Sequence, residues 1–201
     1  MAFRTFADLN EAAAYAASLD ERWPIRHKIR AHLSSNLQVA PGSHIVELCA
    51  GAGAFAEQLL TDHPQITYTG IDITAPLLEL ARAGLADKAD RITWIEADLN
   101  QDDWLQQIQK PVHAFVSMQS LHDLGDEAAV ERIFRLAAKE LEPKGVFIYA
   151  DMLAPEPPEE NKNPGKLSVE RHLQLLYGAG FRTAVCTLNS DGFGCFVAQL
   201  A

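Results

Sequence analysis

Chemistry first shows in Val46-Glu47-Leu48-Cys49-Ala50-Gly51-Ala52-Gly53-Ala54-Phe55. Two glycines spaced by one residue close a short apolar run and open a helix-like segment. Glycine at such a place lets the backbone take positive φ and pass close to a ligand with no Cβ in the way. A tight strand-to-helix turn needs the same glycines with no ligand at all, so two further acids matter. Asp72 lies nineteen positions beyond Gly53 at the end of a second strand-like run, about where a carboxylate meets a ribose diol. Asp98, in Glu96-Ala97-Asp98-Leu99, closes a third run, in reach of an adenine edge. One acid at a strand end is often only a helix cap. Three features on strand ends along one side of a parallel sheet describe a single crevice.

A second constellation follows a fourth strand-like run: Gln119-Ser120-Leu121-His122-Asp123, with Asp151 at the end of a fifth. His122 titrates near neutral pH and is a candidate general base, and Asp151 a candidate to orient a substrate or pair with it. The plainer roles are a turn cap or packing beneath a cofactor. His172 falls inside a helical pattern and reads as surface or core.

These residues need elements to hold them. Residues 8–19 and 24–37 read as helices, the first rich in alanine and the second opened by a proline. Then strand-like and helix-like segments alternate: 44–49 strand, 54–62 helix, 66–73 strand, 75–87 helix, 91–99 strand. Thr74 is placed to cap the 75–87 helix, with Pro76 in its first turn. Residues 112–118 read as strand, 126–141 as helix, 142–145 as a turn and 146–153 as strand. A proline-rich loop over 154–165 precedes a helix over 167–180 that ends in glycine. Asn189-Ser190-Asp191-Gly192 joins two last strands as a hairpin. Strands alternating with helices predict a parallel sheet wound by right-handed crossovers, and the hairpin adds antiparallel strands.

Composition narrows the partners. The 201 residues carry 27 acids against 17 bases, a net charge of −10, which disfavours phosphate backbones and anionic lipid. The three cysteines are too scattered for a disulfide framework or zinc spacing, and no run reaches a membrane span. The expectation is a cytoplasmic protein, monomer or homodimer, with a small-molecule substrate, no nucleic acid, no membrane and no metal. Arg22, Arg26, Lys28 and Arg30 crowd four bases into nine residues. A solvated helix face explains them, and an anionic substrate is the sharper alternative.

Gly51, Gly53 and Ala56 satisfy a dinucleotide turn, so an NAD(P)-dependent reductase stays open. Glu47, four and six positions ahead of the glycines, fits poorly beside a pyrophosphate and suits the cationic end of S-adenosylmethionine. Here the sequence resembles the class I SAM-dependent methyltransferases, from Ile45 to the C-terminus. Glu47, Cys49, Gly51 and Gly53 correspond to that family's first motif, with Cys49 in place of a glycine. Asp72 with Ile73, and Asp98 with Leu99, stand at its ribose and adenine positions. Ser117 and Gln119 lie in the stretch under the methionine part, and residues 141–153 resemble its fifth-strand motif.

The resemblance implies a doubly wound α/β, mostly parallel seven-stranded sheet of order 3-2-1-4-5-7-6, with a C-terminal antiparallel hairpin. It implies S-adenosylmethionine as cofactor, a cofactor domain over 41–201 and an N-terminal helical lid over 1–40. In this family N-terminal helices often choose the substrate, which makes Tyr15, Trp23 and His27 the candidate acceptor contacts. Ser117-Met118-Gln119-Ser120 replaces the Asn/Asp-Pro-Pro-aromatic signature of methyltransferases acting on bases and amides. Transfer to a small molecule is the expected activity; a non-catalytic, SAM-binding regulatory subunit of the same fold is the further alternative.

Overall fold

A computed structural model describes residues 6–157 and 160–201; positions 1–5 of the expected lid and 158–159 of the proline loop lie outside the described residues. The chain divides into two compact units, residues 2–110 and 111–201.

The first unit runs α1 (Leu9–Arg22), α2 (Arg26–Asn36), β1 (His44–Leu48), α3 (Ala54–Asp62), β2 (Thr67–Asp72), α4 (Ala75–Gly84) and β3 (Ile92–Glu96). Strands β1 and β3 both pair in parallel with β2. Every β1 residue is buried, as befits a strand covered on both faces. Asp8 caps α1, accepting the Glu11 N–H at 2.9 Å, and α1 packs against α4. Asp20 pins the corner between α1 and α2, accepting from Arg26 Nε at 2.8 Å and from both Arg30 terminal nitrogens at 2.9 and 2.6 Å. The Arg30 bond, with Arg26 adding to it, holds the Asp20 carboxyl down at about 2. Two of the four clustered bases are thus answered inside the chain. A third, Arg22, lies 5.1 Å over the Trp23 ring, and Lys28 is exposed.

The second unit runs β4 (Val112–Met118), α5 (Glu127–Glu140), β5 (Leu141–Met152), α6 (Val169–Ala179), β6 (Thr183–Ser190) and β7 (Phe193–Gln199). Strand β5 pairs in parallel with β4 and antiparallel with β7, which pairs antiparallel with β6. Its core is aromatic: Phe115, Phe134, Phe147, Tyr149 and Phe196 are fully buried, Tyr149 stacking on Phe196 at 4.9 Å. Asp191 and Gly192, with φ of 52° and 77°, make the two-residue turn that suits the twist of a hairpin. The full strand order is β3-β2-β1-β4-β5-β7-β6, the order expected. No helix among the described residues is long and apolar enough to cross a membrane.

Several boundaries differ from the sequence reading. Strand β3 ends at Glu96, so Asp98 sits in the following turn and not at a strand end. Its Oδ1 accepts the Asn100 N–H at 2.8 Å, and a carboxylate that folds its own backbone this way ends strand pairing. Strand β5 begins at Leu141, absorbing the expected turn at 142–145 with a register shift and a left-handed Lys144. Thr74 holds the cap position of α4 without a side-chain capping bond; its N–H donates to Asp72 Oδ1 at 2.8 Å instead.

Candidate functional site

In the first unit, β1 ends in a turn with three left-handed residues in five positions: Cys49, Gly51 and Gly53, at φ 59°, 55° and 84°. The two glycines serve differently. A Cβ on Gly53 would press to 3.1 Å from Ala81 Cβ and 3.3 Å from Leu85 Cδ1, so glycine here lets the turn sit on α4. A Cβ on Gly51 would meet nothing within 4 Å, which leaves that stretch of backbone open to a ligand.

Asp72 ties this turn to the end of β2. Its Oδ2 accepts the Gly51 N–H at 2.8 Å, while Oδ1 takes the Thr74 N–H. Burial raises its carboxyl, and the backbone N–H bonds pull the other way. Glu47 is 2% exposed, and Tyr68 donates its hydroxyl to Glu47 Oε2 at 2.5 Å. Burial pushes the Glu47 carboxyl up to about 8, with the Tyr68 bond and the Arg26 charge opposing and Asp72 assisting. Tyr68 rises well above its ordinary value for the same reason, burial, reinforced by Glu47. At neutral pH the pair is therefore mostly uncharged.

Trp94 closes the face of the sheet that carries this pair. Its ring lies edge-on to Tyr68 at 5.6 Å and fills the space over Gly70, where a Cβ would come within 2.6 Å of ring carbon Cε3. Sequence reading missed Tyr68 and Trp94. The alternation Tyr68, Gly70, Asp72 along β2 was the available signal, since residues two apart share a face. Ile73 is half-buried beside Asp72, Asp98 is half-buried in its turn, and Leu99 is buried.

In the second unit, Ser117 is fully buried at the end of β4. Gln119 follows in left-handed conformation, φ 59°, donating its N–H to Ala150 O at 2.8 Å and Nε2 to Met152 Sδ at 3.8 Å. Asp151 is fully buried and grips His122 twice. Its Oδ2 accepts the His122 N–H at 2.9 Å, and its Oδ1 lies 2.5 Å from His122 Nδ1. Burial alone would lower the imidazole; the bond and charge of Asp151 outweigh it, so His122 is raised. A carboxylate on Nδ1 assigns the proton there and leaves Nε2 as the basic nitrogen, 3.5 Å from Asp123 Oδ2. His172 is core, within the expected range: Nδ1 stands 3.0 Å from the Tyr149 hydroxyl, and burial drops it to about 4.

The three expected acceptor contacts have separate neighbours. Tyr15 packs on Phe6 at 5.4 Å, Trp23 lies under Arg22, and His27 is exposed.

A turn of left-handed residues on a first parallel strand, an acid ending the second, and this strand order define a methyltransferase fold. Residues 45–145, half of the chain, match the family of the methyltransferase domain, and the chain belongs to it. That decides against the reductase. The methyl donor of the family is S-adenosylmethionine, and the open backbone at Gly51 beside the Asp72 carboxylate fits its nucleoside end.

Among curated proteins, the chain is similar to ribosomal RNA small subunit methyltransferase C of Pseudomonas aeruginosa (strain LESB58). It is 28% identical over 157 residues, 75% of this chain and 43% of that one. It is also 32% identical over 60 residues to the demethylmenaquinone methyltransferase of Chlamydia pneumoniae, 30% of this chain and 25% of that one. Among solved structures, an O-methyltransferase family protein from Burkholderia thailandensis superposes with a TM-score of 0.79 at 18% identity, covering 97% of this chain and 61% of that one. Human N-acetylserotonin methyltransferase, solved with S-adenosylmethionine, gives 0.73 at 16% identity, with 96% and 57% covered. The chain thus spans less than half the length of the curated relatives and about three fifths of these solved ones.

Proposed function

We propose that this chain transfers a methyl group from S-adenosylmethionine to a hydroxyl of a small-molecule acceptor, with His122 as general base and Asp151 holding it. The observation that carries this reading is the His122–Asp151 pair, Nδ1 to Oδ1 at 2.5 Å, which leaves Nε2 as the basic nitrogen, 3.5 Å from Asp123 Oδ2. When bound, the cofactor supplies an electrophilic methyl on a sulfonium, with a neutral leaving group. A base is needed only for an acceptor that arrives protonated, and a hydroxyl is such an acceptor. Glu47, Cys49, Gly51, Gly53, Asp72, Ile73, Asp98 and Leu99 hold the cofactor on the first unit; Ser117 and Gln119 are assigned to its methionine part. Asp72 takes the ribose diol, and Glu47 answers the cationic end. Helices α1 and α2 supply the acceptor contacts through Tyr15, Trp23 and His27. An RNA acceptor is disfavoured by the net charge of −10 and by Ser117-Met118-Gln119-Ser120 in place of a base-methylating signature.

Calorimetry with S-adenosylmethionine, S-adenosylhomocysteine and NAD tests the cofactor, and labelled-methyl transfer into a metabolite extract, a panel of phenols and ribosomal RNA tests the acceptor. We expect a labelled small-molecule product, with turnover reduced about 10²–10⁴-fold in His122→Ala. Label in RNA alone would overturn the acceptor class, and binding without any labelled product would move the chain to a non-catalytic role.

A further inference from the structure

The proline loop between β5 and α6 would ordinarily pass for a surface connection, yet its last turn is built against His122. Gly165 is buried, and a Cβ there would overlap the His122 carbonyl oxygen and come within 2.9 Å of its carbonyl carbon and 3.0 Å of its Cα. A methyl cannot be added without moving one backbone away from the other. Asparagines lock the turn. Asn163 Oδ1 accepts the Gly165 N–H at 2.9 Å, and Asn161 Oδ1 accepts the Asn163 N–H at 3.1 Å. Asn161 Nδ2 donates to Lys166 O at 3.0 Å, and Ala154 N to Leu167 O at 3.0 Å closes the loop at its base. Asn163 also reaches across, donating Nδ2 to Asp123 Oδ1 at 3.3 Å, and the other oxygen of that carboxylate stands 3.5 Å from His122 Nε2.

We propose that the 161–166 turn is a positioning device for the base: Gly165 buttresses the His122 backbone at its carbonyl, and Asn163 sets the carboxylate beside Nε2. The inference rests on His122 acting as the base. His122 is otherwise fixed by one residue, since Asp151 takes both its backbone N–H and its Nδ1. A single short 3₁₀ turn, Leu121–Asp123, carries it, and such a turn cannot by itself hold a side chain to a fraction of an ångström. Gly165 limits that freedom, because its backbone lies so close to the carbonyl group of the same residue that no Cβ fits between them.

The groups facing the imidazole are Asp151 from β5, Asp123 from its own turn, Lys166 from the loop, whose charge opposes the two acids, and His172 from α6, which the His122 charge disfavours in its own charged form. Loosening the turn lengthens the Nδ1 bond and leaves burial opposed chiefly by the charges of Asp151 and Asp123.

The test follows His122 itself by NMR titration of its ring in the full chain, beside turnover on whichever acceptor the screen yields. In Gly165→Ala the His122 midpoint should fall by about one pH unit as the Asp151 bond weakens. Turnover should fall about tenfold with the affinity for S-adenosylhomocysteine unchanged. Asn163→Asp keeps the acceptor for Gly165 N–H but sets a second carboxylate against Asp123, so it should keep turnover within about threefold and leave the His122 midpoint at or above that of wild type, not below it. Asn163→Ala, which loses both, should behave like Gly165→Ala and serves if that variant fails to fold. A His122 midpoint unmoved in both Gly165→Ala and Asn163→Ala, while Asp151→Asn moves it, overturns the buttress. Full turnover in His122→Ala overturns the base reading instead, whatever the loop variants do to the titration.

Discussion

Glu47 in one half of the chain and Asp151 in the other are almost completely buried carboxylic acids, and the two face different partners. Glu47 on β1 takes a phenol, Tyr68, at 2.5 Å; Asp151 on β5 takes an imidazole, His122, at the same distance. Burial penalises charge in both places, but the partners answer differently. A phenol is a poorer proton acceptor than a carboxylate, so it can only donate. The proton of Glu47 stays on the carboxyl, held up at about 8, and the pair is neutral. An imidazole can take a proton near neutral pH, so Asp151 raises His122 and makes a basic pair poised to move a proton. Similar depth and distance therefore give one pair that holds its proton and another whose imidazole is held toward its charged form. The difference lies in one partner residue.

Replacing Asp151 breaks the contrast hardest. In Asp151→Asn the imidazole loses its carboxylate, and turnover should fall about 10²-fold or more, a loss read by labelled-methyl transfer. The acid limb of the pH–rate profile should move to lower pH, because burial then outweighs the remaining Asp123 charge on His122 and the neutral base persists further down. Glu47→Gln, which leaves the His122 pair intact but cannot ionise toward a bound cation, should raise the KM for S-adenosylmethionine while keeping turnover at saturating cofactor within about tenfold at neutral pH. Equal losses in the two variants would mean that both pairs are catalytic and the contrast is wrong.

Asp72 sharpens the cofactor half. Its carboxylate joins the turn to β2 through Gly51 and, in the proposed role, takes the ribose diol. Asp72→Ala should cost about 1.5–3 kcal/mol of affinity for S-adenosylhomocysteine by calorimetry, the range for hydrogen bonds to a charged group. Unchanged affinity would remove the ribose assignment.

A pH experiment on Glu47 gives a smaller but signed effect. Its folded value lies above that of the unfolded chain, so its favourable contribution is complete below the ordinary carboxylate range. It is lost as pH rises toward about 8. Wild type should therefore lose stability relative to Glu47→Gln between about pH 5.5 and about pH 8.5, on the order of 2–4 kcal/mol, read from urea midpoints. Parallel curves for the two proteins would place the proton elsewhere.

Sequence spacing was enough for the alternation of strands and helices, the glycine turn and the chain positions of His122 and Asp151, because apolar runs and turn residues are local signals; the strand order came from the family resemblance. What it could not carry was non-local. Tyr68 reads as one more strand aromatic until the sheet places it beside Glu47. Gly165 reads as a turn glycine until the loop folds back over His122. Asp98 was set at a strand end because its side chain's bond to Asn100 competes with pairing, a contest invisible to periodicity. The basic cluster at 22–30 left an anion site open beside a solvated helix face because Asp20, only two residues ahead of Arg22, was not counted against it.

The smallest effect compares the two strand exits directly. Cys49 leaves β1 and Gln119 leaves β4 with the same left-handed φ of 59°, a conformation that L side chains avoid. Relief of that strain by glycine is worth about 1–2 kcal/mol, and the extra freedom glycine gives the unfolded chain costs about 0.5–1 kcal/mol. Cys49→Gly and Cys49→Ala both remove the thiol, so compared with each other in chemical denaturation the glycine variant should be the more stable by about 0.5–1 kcal/mol, because alanine keeps the Cβ and the strain. Gln119→Gly recovers the same strain but gives up the contact of Nε2 with Met152 Sδ, so its gain should be smaller. A larger gain at Gln119 than at Cys49 would show that the side chain of Gln119 is held against its own preference, which is what a cofactor contact requires and a packing role does not.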